Sequence, residues 1–158
     1  TGVGSAYFDK ELGFDKSLEL SKIGHYTLVK DGIQCNCGKR GCIEQYISAG
    51  ALYKLGGARG LAITDCNDIF SLSRADNIIA KEVIDEFVNN LVEAIKLIKQ
   101  RLDTNVIIFG GGLISTKEFW LPQTQSRVED VTLLPAKLGN QAGMLGAYVW
   151  YNIRQSSK

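Results

Sequence analysis

A chain of 158 residues is long enough to bury a sizeable core in one domain, and 45% hydrophobic residues make it a folded globular protein. Eighteen Lys and Arg against seventeen Asp and Glu give no electrostatic reason for nucleic acid or an anionic membrane as a partner of this domain. No apolar run reaches bilayer length and no targeting segment opens the chain, so the expectation is a cytoplasmic protein with reduced thiols.

The chain opens on Thr1-Gly2-Val3-Gly4, and its one methionine is Met144. We read it as the C-terminal part of a longer protein. Gly2 and Gly4 permit close backbone approach to an anion, and Ala6-Tyr7-Phe8 reads as a strand running into a turn at Asp9-Lys10. Residues 14–23 lead to the most informative stretch, GHYTLVKDGIQCNCGKRGCIE at 24–44. Cys35, Cys37 and Cys42 lie within eight residues of one another, ten residues after the lone His25. Three thiolates and one imidazole complete a tetrahedral Zn²⁺ set with no position open for water, the pattern of a structural site. The competing reading is a disulfide from Cys42 to Cys35 or Cys37, with a spare thiol.

Residues 43–55 read as one helix with Ile43, Tyr46, Ile47 and Leu52 turned to a core, and Glu44 in its first turn complements the helix dipole. Residues 56–67 form a loop in which Cys66 is unpaired, and Asp65 to Asp68 cap the segment after it. The longest helix runs from about Asp76 to Leu102, with Ile79, Val83, Phe87, Leu91, Ile95, Ile98 and Leu102 as its apolar stripe. Asn105 to Phe109 is a buried strand ending in Gly110-Gly111-Gly112, the place where α/β folds receive ligands. A helix interrupted near Pro122 comes next over 115–129, with Phe119, Trp120 and Leu121 buried or at a contact surface. A second strand spans Val131 to Leu134. A last helix opens near Gly139 with small residues on one face, and the tail from Arg154 frays. Strands and helices alternate, so the class is α/β and the chain is one domain.

Gly24-His25 followed by Cys35-Asn36-Cys37-Gly38-Lys39-Arg40-Gly41-Cys42-Ile43-Glu44 resembles the zinc signature of the ROK family of repressors and sugar kinases. TGVG resembles the end of that family's phosphate loop, Gly110-Gly111-Gly112 its adenosine segment, and residues 138–147 its closing helix. The resemblance implies the C-terminal lobe of an actin-like ATPase (ribonuclease H-like) fold and transfer of the ATP γ-phosphoryl group to a sugar hydroxyl with Mg²⁺. It implies sugar contacts from His25 and Glu44, ATP contacts from Thr1, Gly2, Gly4, Gly110, Gly111 and Gly112, and zinc on His25, Cys35, Cys37 and Cys42. It also implies a missing N-terminal lobe that carries the catalytic aspartate, because neither Asp65 nor Asp68 sits in a matching context, so this chain by itself is expected to be inactive. A homodimer through aromatics near Trp120 or Trp150 is a further expectation. The departure from the pattern is Lys22, where the family places a sugar-binding glutamate: an acceptor becomes a cation with donors only. Altered substrate choice or lost activity is the consequence if Lys22 faces the pocket. The other readings are a sugar-sensing repressor body, which alone would bring nucleic acid as a partner, and a degenerate zinc-stabilised interaction protein.

Overall fold

The computed structural model describes residues 2–9, 11, 20–139 and 141–156. Its centre is the helix α4, Ile78–Leu102, over which the short helices α1 (Glu44–Ile47), α2 (Ala49–Ala58) and α3 (Cys66–Arg74) pack. Two parallel strands, β1 (Val106–Phe109) and β2 (Thr132–Pro135), come after it, in register from Val106 opposite Thr132 to Phe109 opposite Pro135. Between them run a 3-10 stretch, Gly112–Phe119, and α5, Leu121–Ser126; α6, Gln141–Ser156, closes the described chain.

Helix α4 begins where the side chain of Asn77 accepts from the Ala80 amide, 2.9 Å away. It ends where Asp103 turns left-handed at φ 46°. Its buried face is wider than a one-in-four stripe. Ala80, Ile84, Val88, Val92 and Ala94 join Val83, Phe87, Leu91, Ile95 and Leu102, whereas Ile79 is exposed. Phe87 and Phe109 meet the edge or face of Trp120 at 6.4 and 5.3 Å between centroids. The indole N–H of Trp120 donates to the Leu113 carbonyl at 3.2 Å. Trp120 is therefore core, 3% exposed, and not a subunit contact.

Several expectations need correction. Residues 43–55 are two helices, because Ser48 is extended (ψ 161°) and caps α2 by accepting from the Ala51 amide. The second of these runs on to Ala58, through the start of the expected loop. The interruption expected near Pro122 falls at Trp120, between the 3-10 stretch and α5, and Pro122 itself stands in the first turn of α5, where a missing N–H costs nothing. Ala6-Tyr7-Phe8 forms no strand: the Tyr7 amide donates to Ser21 Oγ at 2.7 Å instead of to a neighbouring strand. The tail is helical as far as Ser156. Thr1, the turn at Lys10 and most of the approach to Ser21 lie outside the described residues.

The apolar strand β1 is also less covered than its sequence suggests. Val106 and Ile108 are 45% and 64% exposed. Met144, Leu145, Tyr148, Val149, Trp150 and Tyr151 of α6 are exposed as well. No helix among the described residues is long and apolar enough to cross a membrane.

Candidate metal centre

Residues 23–43 contain almost no regular structure, and backbone hydrogen bonds fold them back on themselves. A 3-10 turn, Ile23–His25, places the imidazole. Tyr26 and Ile43 pair through Ile43 N–H to Tyr26 O at 2.9 Å, while Leu28 and Val29 both donate to Gly41 O. Single antiparallel bridges join Thr27 to Cys42 and Gln34 to Arg40. Cys35 and Lys39 close the tip, with Cys35 N–H on Lys39 O at 2.9 Å. Gly41 adopts φ +74°, and a side chain there would collide with the Val29 carbonyl. Its bareness lets the two arms of the loop touch.

This folding brings one ligand atom each from His25, Cys35, Cys37 and Cys42 within 4.8 Å of one another. Cys35 Sγ lies 3.7 Å from His25 Nδ1, and Cys37 Sγ lies 3.5 Å from Cys42 Sγ. Metal–sulfur and metal–nitrogen bonds of about 2.3 and 2.0 Å at tetrahedral angles put neighbouring ligands roughly 3.5–3.8 Å apart. The donor set therefore fits a tetrahedral zinc ion, and all four cysteines are free thiols. Nδ1 is the nitrogen turned toward the sulfurs, which leaves Nε2 on the opposite edge of the ring.

The thiols are not alike. A hydrogen bond from the Cys37 backbone amide, helped by the neighbouring thiols and His25, holds the Cys35 thiol well below the usual range. Burial pushes the Cys42 thiol well above it. The two sulfurs are thus shifted in opposite directions, and both must be deprotonated to hold a cation.

Helix α1 comes directly after the loop and reaches three partners in one turn. Glu44 Oε2 accepts from the Val3 amide at 2.9 Å, and Gly2 packs so closely on that carboxylate that a side chain there would collide with it. Gln45 Nε2 donates to Cys35 Sγ at 3.6 Å. Tyr46 Oη accepts from the Ile33 amide at 2.9 Å and lies over Gly32. Helical periodicity assigns Tyr46 to the core; it braces the metal loop instead. Neither the Glu44–Val3 bond nor the role of Gln45 is legible in the sequence, because both depend on how the loop returns.

The remaining candidate residues are not among the four converging donors. Gly4 has open space around it. Gly110, Gly111 and Gly112 leave the carboxyl end of β1, where Gly110 stands beside Ala136 and Gly111 adopts φ +90°. Both strands run parallel, so their carboxyl ends share that edge. Lys22 is exposed, and its carbonyl accepts from the His25 amide at 3.2 Å.

The sequence profile of the ROK family matches residues 19–154. The chain belongs to the ROK family. It is 27% identical over 158 residues to N-acetylmannosamine kinase of Escherichia coli O6:H1, covering 95% of this chain and 53% of that protein. A glucokinase of Halalkalibacterium halodurans is 27% identical over 150 residues, covering 79% of this chain and 45% of that one. The chain thus spans about half the length of the curated relatives it matches. The ROK hexokinase of Thermus thermophilus superposes with a TM-score of 0.77 at 23% identity, over 98% of this chain and 56% of that one. A ROK glucokinase of Streptomyces griseus, solved with glucose and AMPPNP, gives 0.70 at 24% identity, over 80% and 49%. A ROK transcriptional regulator, a homologue of the E. coli MLC protein, gives 0.66 at 23% identity, over 80% and 37%. The fold is that of the ROK sugar kinases, the actin-like ATPase fold, of which this chain forms part of one lobe.

Proposed function

We propose that this chain is the C-terminal lobe of an ATP-dependent sugar kinase acting on a hexose or N-acetylhexosamine, with a structural zinc site at 25–44. The observation that carries this reading is the convergence of His25, Cys35, Cys37 and Cys42 immediately before Glu44, whose carboxylate accepts from the Val3 amide beside Gly2. With Nδ1 on the metal, His25 keeps Nε2–H to donate to a sugar hydroxyl, and Glu44 Oε1 accepts from another while Oε2 holds Val3. Zinc, when bound, supplies no chemistry to the transfer; it fixes the loop that aims these two side chains.

On the nucleotide side, Thr1, Gly2 and Gly4 would cradle the ATP phosphates, whose charge Mg²⁺ would neutralise, and Gly110, Gly111 and Gly112 would lie along adenosine. The γ-phosphoryl group would pass to the sugar oxygen as ADP leaves, and the hydroxyl proton would go to a carboxylate on the other lobe. That lobe corresponds to the half of the relatives this chain does not match. Exposed apolar side chains on β1 and α6 support a covering body there, and Trp150 is left as the candidate dimer contact. We place the whole protein in the cytoplasm, where its thiols stay reduced.

A second reading draws on the shared fold of the ROK regulator: the same body sensing sugar in a repressor. The deciding experiment is an ADP-release assay on the full-length protein with glucose, N-acetylmannosamine and N-acetylglucosamine. Sugar-dependent ADP release by the full-length protein, absent from the 158-residue chain, is expected. A full-length protein that binds sugar without releasing ADP, and binds DNA, overturns the kinase in favour of the repressor.

A further inference from the structure

We propose that Gln45 tunes the metal centre from outside its ligand set, its side-chain amide donating to the Cys35 sulfur and setting how tightly zinc is held. The proposal rests on the zinc reading above and assigns a role to a residue outside the four ligands.

Three thiolates around one divalent ion leave a net negative charge, and that charge resides on the sulfurs. Cys35 is only 2% exposed, so water cannot spread the charge at this sulfur. Hydrogen-bond donors must do so. Gln45 Nε2, at 3.6 Å, is such a donor, within the usual reach of N–H to sulfur.

Its position makes the contact a built one. Gln45 sits on a single turn of helix whose ends are both tied down. Glu44 before it holds the Val3 amide, and Tyr46 after it holds the Ile33 amide at the loop tip. Successive residues leave a helix about 100° apart, so the two anchors fix the direction in which the Gln45 amide points. The half-buried side chain has little freedom to turn elsewhere. A glutamate here would present only acceptors to a thiolate, and a methionine would match the shape without the donor.

The test uses the chain stripped of metal and reloaded with Co²⁺, then with Zn²⁺ against a chromogenic chelator. Gln45→Met is expected to hold Zn²⁺ about tenfold more weakly. Its sulfur-to-cobalt charge-transfer band should move to lower energy, because the sulfur lone pair loses the bond that stabilised it. Gln45→Glu should weaken binding further at neutral pH and serves if the methionine variant does not fold. Tyr46→Phe, which removes a brace but no donor to sulfur, should leave the band where it is. Wild-type and both Gln45 variants with the same band and the same affinity overturn the role of Gln45. A wild-type chain that takes up no cobalt at all overturns the zinc reading itself.

Discussion

Residues 24–43 and helix α4 are held by different means. Helix α4 buries a continuous face of aliphatic and aromatic side chains against α2, α3 and Trp120. Residues 24–43 expose Val29 and Ile33, and their fully buried hydrophobic side chains are Cys35, Cys42 and, at the end of the stretch, Ile43. Its backbone is paired by isolated bridges and single hydrogen bonds, each worth about 1 kcal/mol net. Apolar burial can specify a helix from periodicity alone. This loop has little such burial, and four donors are placed to hold a cation.

Removing metal should separate the two regions most sharply. Structural zinc contributes on the order of 10 kcal/mol to the segment that binds it. Chelation of the zinc-loaded chain should abolish hydrogen-exchange protection at the amides of Cys35, Gly38, Gly41 and Ile43, while the interior of α4 keeps its protection. Equal loss in both would join them into one cooperative unit. The reciprocal cut is Phe87→Ala, which empties a fully buried site between α4 and Trp120. It should cost about 3–5 kcal/mol in denaturant unfolding, with metal stoichiometry unchanged in the folded fraction.

A smaller effect is expected at Gly41. Gly41→Ala forces a Cβ onto a left-handed residue facing the Val29 carbonyl and should destabilise the loop by about 2 kcal/mol. Faster metal loss to a chelator would show it, with the helical circular dichroism unchanged. The smallest step is in pH. In the metal-free loop, a Cys42 thiol raised by burial favours the fold below the ordinary thiol range and loses that advantage as pH climbs. Cys35, lowered by the Cys37 amide, does the reverse: its contribution is present above the ordinary thiol range and is lost as pH falls through its lowered value. Metal binding needs both sulfurs deprotonated. Zinc affinity should therefore fall with acid by about one decade, near 1.4 kcal/mol, per pH unit for each proton displaced. A flat profile from pH 8 to 6 would mean that no thiol proton is exchanged.

The same contrast explains what could be read from the sequence. The donor set is legible because cysteine and histidine spacing within one loop carries its own chemistry. Helix α4 is legible because its apolar period is long and unbroken. The break at Ser48 is not, since a serine inside an apolar-periodic run looks tolerated until its hydroxyl is seen capping Ala51. Tyr46 fits the helical period of a core residue, but its hydroxyl finds an unpaired loop amide. The run Val106 to Phe109 reads as a strand covered on both sides, whereas only one side is covered among the described residues. Such failures come from partners distant in the chain, which no local pattern contains.

The most direct test of the metal site is the zinc content of the chain purified without chelator, measured by mass spectrometry together with a count of reactive thiols. One zinc per chain, with only Cys66 reacting before chelation and all four cysteines after it, is the predicted result. A metal-free chain whose four thiols react at once, or in which Cys42 is joined to a neighbouring cysteine, would contradict it.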